Sequence, residues 1–335
     1  MDMRPDFQIP ESFPNGPGTR PVCASASVCE AFGHGQLARQ FMQIPLRERR
    51  VGSLKGRQWT KGGDFLPHFL YKYRHLETDN PEAGAKADIL KRAGDLLVRG
   101  RVWIAAANTL NDLHDMRFHV VLSDDPAVIN AWIERNQGLI QQFPVHQQEA
   151  MVQHLRKHRM SAGDIETFQA DLEQTMGVFS ASQDPRNEPM WAHYAADHHG
   201  YCVQLSTMED GVFLLAEKVI YTEEFPTLTL PRPDSRDVNK AYLHKSAAWA
   251  YEREWRIVTP KSNYAIQLRP EAVTGVILGA RVTETTRLAI TQFNEERAAL
   301  GLPRFCVYEA AQHRTRYGMR IVNRTDFCGR SSLTL

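Results

Sequence analysis

Residues 242–258 read YLHKSAAWAYEREWRIV, and two periodicities meet inside this stretch. Tyr242, Ala248 and Trp249 are spaced to share one face of a helix. From Glu252 the chain alternates instead: Glu252, Glu254, Arg256 and Val258 fall on one side of a strand, Arg253, Trp255 and Ile257 on the other. The expectation is a helix running directly into a strand. Two carboxylates at i and i+2 of a strand share a face, and like charges that close raise at least one pKa. A charged edge strand that discourages sheet-to-sheet pairing would carry the same pattern. A strand aiming Glu-x-Glu-x-Arg into a cleft would instead carry chemistry, and the residue types leave both readings open.

Around this stretch the pattern alternates between strands and helices. Downstream, residues 272–280 (AVTGVILGA) predict a buried strand, and Glu284–Leu300 an amphipathic helix through Leu288, Phe293 and Ala298. Short strands are expected over Cys306–Ala310 and Met319–Val322. Upstream, residues 178–182 and 201–205 read as strands. Between them Asp184 and Pro185 make a turn, Pro189 suits the first turn of a short helix, and Gly200 ends it. Residues 217–222 predict a strand, and 225–240 a Pro-rich loop. In residues 66–76 (LPHFLYKYRHL) the aromatic residues Phe69, Tyr71 and Tyr73 alternate with Leu70, Lys72 and Arg74. With the aromatic face packed, Lys72 and Arg74 form a positive fork suited to phosphate or carboxylate. A partly exposed strand with its bases reaching solvent is the plainer reading.

A helix over Asp88–Val98 and a strand at 102–104 lead into a polar loop bearing Asn108, Asn111, Asp112 and Asp115. Such residues usually satisfy their own turn, and they also suit a loop that positions a ligand. Residues 126 to about 175 are helical in pattern, an insertion beside the sheet-forming parts. His154 and His158 sit at i and i+4 there without a third metal ligand, and no metal site is expected. Residues 1–62 form an N-terminal arm. Its first part is rich in Pro and Gly, and a basic run from Arg47 to Lys61 surrounds Trp59, either a solvated face or a phosphate-contacting arm.

Composition narrows the function classes. The 335 residues carry a formal charge of +1, with 42% hydrophobic and 24% charged residues, ordinary for a globular chain. No apolar run is long enough to span a bilayer, and no secretory leader is evident. The five cysteines are scattered without a C-x-x-C pair, which predicts reduced thiols and a cytoplasmic setting. There is no G-x-G-x-x-G, Walker loop, G-x-S-x-G or H-E-x-x-H motif.

The succession LYKYR (70–74), VWIAAANTLND (102–112), PMWAHYAADHHGYCVQLS (189–206), HKSAAWAYEREWRIV (244–258) and VTGVILG (273–279) resembles the bacterial family called domain of unknown function 2971, across roughly residues 66–280. More distantly the layout is similar to the ADP-ribosyltransferase fold, particularly toxins that modify DNA. That resemblance implies an α+β fold with a split, mostly antiparallel sheet in residues 63–335. It also implies NAD as cofactor and a bacterial toxin or phage-defence setting. Glu254 and Glu252 would be catalytic, Glu254 stabilising the oxocarbenium-like ribose and Glu252 deprotonating the acceptor. Lys72, Arg74, Tyr73, Asn111, Asp112, His193, Tyr194, Tyr201 and Arg256 would bind cofactor. Lys72 stands where that fold has His or Arg, and no Ser-Thr-Ser strand is evident. The acceptor would be a macromolecule such as DNA or RNA, and an antitoxin or immunity partner is implied, with no membrane partner. A non-catalytic nucleic-acid-binding module on the same fold is the alternative. A phosphodiester-cleaving enzyme using His193 or His199 is the third.

Overall fold

In the computed structural model, residues 65–76, 83–135, 137–141, 144–157, 162–230 and 240–323 are described. The basic run with Trp59 and the residue His158 lie outside them. The chain enters through β1 (Phe69–Arg74), α1 (Ala83–Leu97), β2 (Arg101–Ala106) and β3 (His119–Leu122). The helical block follows as α2 (Pro126–Arg135), α3 (Gln137–Ile140), α4 (Val145–Lys157) and α5 (Ala162–Thr175). Then come β4 (Gly177–Ser182), α6 (Glu188–Tyr194), β5 (Tyr201–Ser206), β6 (Glu217–Lys218), β7 (Ile220–Thr222) and β8 (Thr227–Leu230). The last part holds β9 (His244–Ser246), β10 (Glu254–Thr259), β11 (Tyr264–Gln267), β12 (Val273–Leu278), α7 (Glu284–Ala299), β13 (Cys306–Gln312) and β14 (Met319–Asn323).

Ten strands build one open sheet in the order β11-β2-β4-β1-β5-β12-β13-β14, with β10 on β4 and β6 on β10. Within it β12 and β13 run parallel and the other pairs antiparallel. Alternation sorts the side chains into two layers. Leu70, Phe179, Ala181, Val203, Leu205, Trp255, Ile257 and Val276 pack with Leu97 of α1 and Ile290 and Phe293 of α7. From the opposite face Tyr71, Tyr73, Cys202 and Ile277 meet Met190 and Trp191 of α6. Each such buried apolar side chain contributes about 1.5–3 kcal/mol, so the sheet is held from both sides.

The sheet splits beside β4. One edge of β4 pairs with β10 from Gly177 to Ser182, but its other edge meets β1 at Tyr71↔Ser182 and β2 at Val178 and Gly177. Strands β1 and β2 part between those points. The Lys72 ammonium fills the gap, donating to the Ser180 carbonyl at 2.5 Å.

Four local expectations are corrected. No α-helix runs into the Glu-x-Glu segment: β9 pairs in parallel with β7, and a 3-10 turn over Ala247–Glu252 follows, with Ser246 as N-cap. Strand β10 begins at Glu254, because Arg253 turns the chain with φ of 47°. Part of the expected loop at 225–240 is strand, since Thr227–Leu230 pairs in parallel with His119–Leu122 and buries Leu228 and Leu230 beside α5. Cys306 takes part in a disulfide, against the expectation of reduced thiols, whereas Cys202 is a free, buried thiol.

Candidate active site

A cleft of about 660 Å³ opens at the split, and its walls come from distant parts of the chain. That volume suits a small-molecule ligand. From β1 come Lys72, Tyr73 and Arg74, from the loop after β2 Asn111 and Asp115, and from β4 Ser180 and Ser182. Helix α6 adds His193 and Tyr194, β5 adds Tyr201, and Lys245, Glu252 and Glu254 form the far wall.

That wall is a buried charge cluster. Lys245 Nζ lies 2.6 Å from Glu252 Oε2, 3.4 Å from Glu254 Oε2 and 3.4 Å from Asp115 Oδ2. Arg256 donates through Nε to Glu254 Oε1 at 2.7 Å and through Nη2 to Glu254 Oε2 at 3.0 Å. Its Nη2 also reaches Asp115 Oδ2 at 2.7 Å, and Nη1 the Tyr242 carbonyl at 3.0 Å. Three carboxylates thus surround two cations, all nearly excluded from solvent. Burying charges is costly unless each is paired and hydrogen-bonded, and here only Asp115 Oδ1 is left without a protein partner.

The two glutamates have separate environments. Burial works against the Glu254 charge, yet Arg256 and Lys245 together hold its carboxyl well below the usual range. Burial dominates for Glu252, and with Glu254 beside it outweighs the opposing pull of Lys245, so its pKa is raised. Tyr194 donates to Glu252 Oε1 at 2.6 Å, and Asn111 Nδ2 donates to the Tyr194 hydroxyl at 3.0 Å. Glu252 is the glutamate tied to the mobile-proton groups of the cleft, and Glu254 the one locked between cations. Burial opposes the Lys245 charge too, but Glu254, Asp115 and Glu252 raise its pKa above the ordinary lysine value. At the other wall, burial and then Arg74 pull the Lys72 ammonium down to about 7.

The remaining expected residues divide. Tyr73 is buried against Trp191, ring centres 5.1 Å apart, and donates to the Asp184 carbonyl. Tyr201 is buried opposite Arg74 on β5. His193 is exposed and meets the Tyr251 hydroxyl at 3.0 Å. Arg256 does not line the cleft; its guanidinium is fully engaged behind Glu254. Asp112 does not line it either, and its Oδ1 accepts from the His114 amide as an ordinary turn residue.

Sequence reasoning missed Lys245 and Asp115 as site residues. Lys245 was legible in principle, as the one basic residue in an otherwise apolar and small run ahead of the glutamates. Asp115 falls in a polar loop, and no local pattern marks it as the residue that meets Arg256. Ser180 and Ser182 were hidden in a short strand. The β4–β10 register sets Ser182 opposite Glu254 and Ser180 opposite Arg256.

Residues 190–257 match the model of a family described as Protein of unknown function (DUF2971). This segment is similar to that family. The match runs from α6 into β10 and includes Tyr194, Lys245, Glu252, Glu254 and Arg256, so the charged wall falls inside it. It supports the resemblance to domain of unknown function 2971 seen in the sequence blocks. No curated protein matches the chain, and no solved structure does. Among the described residues no helix is long and apolar enough to cross a membrane.

Proposed function

We propose that the cleft binds NAD and that the protein transfers ADP-ribose to a macromolecular acceptor. The observation that carries this reading is the convergence, at the split of a mostly antiparallel sheet, of a basic wall with Glu252 hydrogen-bonded to Tyr194. The donor set suits the ligand. Lys72 and Arg74 suit a pyrophosphate, and Tyr194 offers a ring to a planar amide-bearing group. Bound NAD would supply an ADP-ribosyl group whose bond to nicotinamide breaks with positive charge growing at the ribose carbon.

The protein's own groups then have distinct tasks. Glu252 lies at the cleft with a raised pKa and takes the proton of the acceptor nucleophile as that nucleophile bonds to the ribose carbon. Nicotinamide leaves neutral, keeping the electron pair of the broken bond. The fixed negative charge of Glu254 favours the cationic ribose at a distance. Glu254 is held by Arg256 and Lys245, so its role is electrostatic and positioning. These are the roles that the resemblance implied for the two glutamates.

The test is NAD binding and nicotinamide release by the purified protein beside Glu252→Gln and Tyr194→Phe. Release by wild type, lost in Glu252→Gln with NAD binding kept, is the expected result. Absence of NAD binding by the wild-type protein overturns the reading. Turnover that survives Glu252→Gln removes Glu252 from the chemistry.

A further inference from the structure

A second cleft, of about 560 Å³, lies on the other side of β9 from the charge cluster. Strand alternation separates the two. The Lys245 ammonium meets Glu252, and its neighbours His244 and Ser246 border the second cleft, which Lys245 also touches. The opposite walls come from the segment ahead of β3, with His114 and Arg117, from His119 at the start of β3, and from the segment between β7 and β8, with Phe225. Phe225 is 50% exposed, although it is a large apolar side chain. The His114 ring meets it edge-on, 5.9 Å between centres and tilted 60°, which fixes the ring and leaves a face to solvent. Three imidazoles, a guanidinium and an exposed aromatic ring therefore converge from three separate segments.

We infer that this second cleft binds a nucleoside phosphate, its ring stacked on Phe225 and its phosphate held among Arg117, His119 and His244. Thr227 and Ser246 also border the space, and short hydroxyl donors suit phosphate oxygens; the Thr222 hydroxyl instead donates to the Glu224 carbonyl at 2.8 Å. The inference stands apart from the NAD reading, since none of these side chains belongs to the first cleft.

Glu223 and Glu224 border the cleft from the β7–β8 segment, and Arg117 also meets Glu173 of α5 at 3.4 Å. The Lys245 charge is already matched by its carboxylates.

The ligand chemistry has two sources, a free nucleotide or a nucleotide within a single strand, and one experiment separates them. Binding of AMP and of a fluorescent single-stranded DNA oligonucleotide is measured with wild type, Phe225→Ala, His119→Gln and, outside both clefts, Lys261→Gln. Phe225→Ala should weaken binding roughly tenfold, the loss of one stacked base, and His119→Gln should weaken it as well. Lys261→Gln should leave it unchanged. AMP alone binding assigns a free nucleotide, and tighter binding of the oligonucleotide assigns a strand. Failure of both ligands to bind overturns the inference, as does binding that Phe225→Ala and His119→Gln both leave unaffected, which would put the ligand outside this cleft. NAD turnover is scored separately, so either cleft can fail without the other.

Discussion

Lys245 holds Glu252 at 2.6 Å while Trp249 lies across the same ammonium, 4.9 Å from ring centre to Nζ. One lysine on a three-residue strand is the hub of the site, touching Asp115, Glu252 and Glu254. The 3-10 turn that follows brings its indole back over it.

Replacement of Lys245 by Met, similar in length without the charge, leaves three buried carboxylates facing Arg256 alone. Breaking a buried ion pair in this way costs about 3–5 kcal/mol. Urea unfolding should show that loss in midpoint. A Lys245→Met protein as stable as wild type would show that the cluster is solvated enough to dispense with the cation.

Tyr194→Phe removes the 2.6 Å hydrogen bond that favours the charged form of Glu252. The raised pKa of Glu252 should rise further, moving the acidic limb of any pH–rate profile upward. The outer face of Tyr194 meets solvent, so stability should fall by only about 1–2 kcal/mol. An unmoved acidic limb would separate Glu252 from the rate.

Lys72 should be the fast-reacting lysine of the protein near neutrality, because burial and Arg74 bring its ammonium to about 7. Brief acylation at pH 7.5 followed by peptide mapping tests this, with the exposed Lys218 and Lys261 as comparisons. Preferential labelling of those two would contradict the placement of Lys72 in the split.

The same group gives a stability slope. In the unfolded chain a lysine titrates at about 10.4, so between there and about 7 the unfolded state binds more protons than the folded one. Stability contributed by Lys72 is present at high pH and is lost as pH falls through that window. Lys72→Met should flatten the dependence of urea midpoint on pH between 7 and 10. An equal slope in both proteins would mean that other groups set it.

Glu254→Gln should cost more stability than Glu252→Gln. The first removes a charge that Arg256 and Lys245 hold in its ionised form, whereas the second removes a charge that burial already disfavours. Thermal unfolding of the two variants side by side decides it, and equal losses would mean that Arg256 re-pairs fully with Asp115.

Much of this was legible along the chain. Alternation in residues 69–74 and 254–258 placed Tyr71 and Tyr73 on one layer and Trp255 and Ile257 on the other, because a strand's side chains switch faces at every residue whatever it pairs with. Pro189 marked the first turn of α6, which ends at Tyr194 ahead of Gly200, and the Glu-x-Glu pair flagged two neighbouring carboxylates without deciding between a charged edge and a cleft. The neighbourhood of those carboxylates was not legible. Arg253 enters a left-handed turn that only the packing of β10 on β4 selects, and Asp115 reaches Arg256 from 141 positions away. The split between β1 and β2, the sharing of Lys245 among three acids, and the exposure of Phe225 beside His114 follow from which strands pair and in what register. Periodicity is a property of neighbours in the chain, whereas the pKa of Glu252 and the shape of both clefts depend on charges and walls that only the assembled sheet brings within a few ångströms.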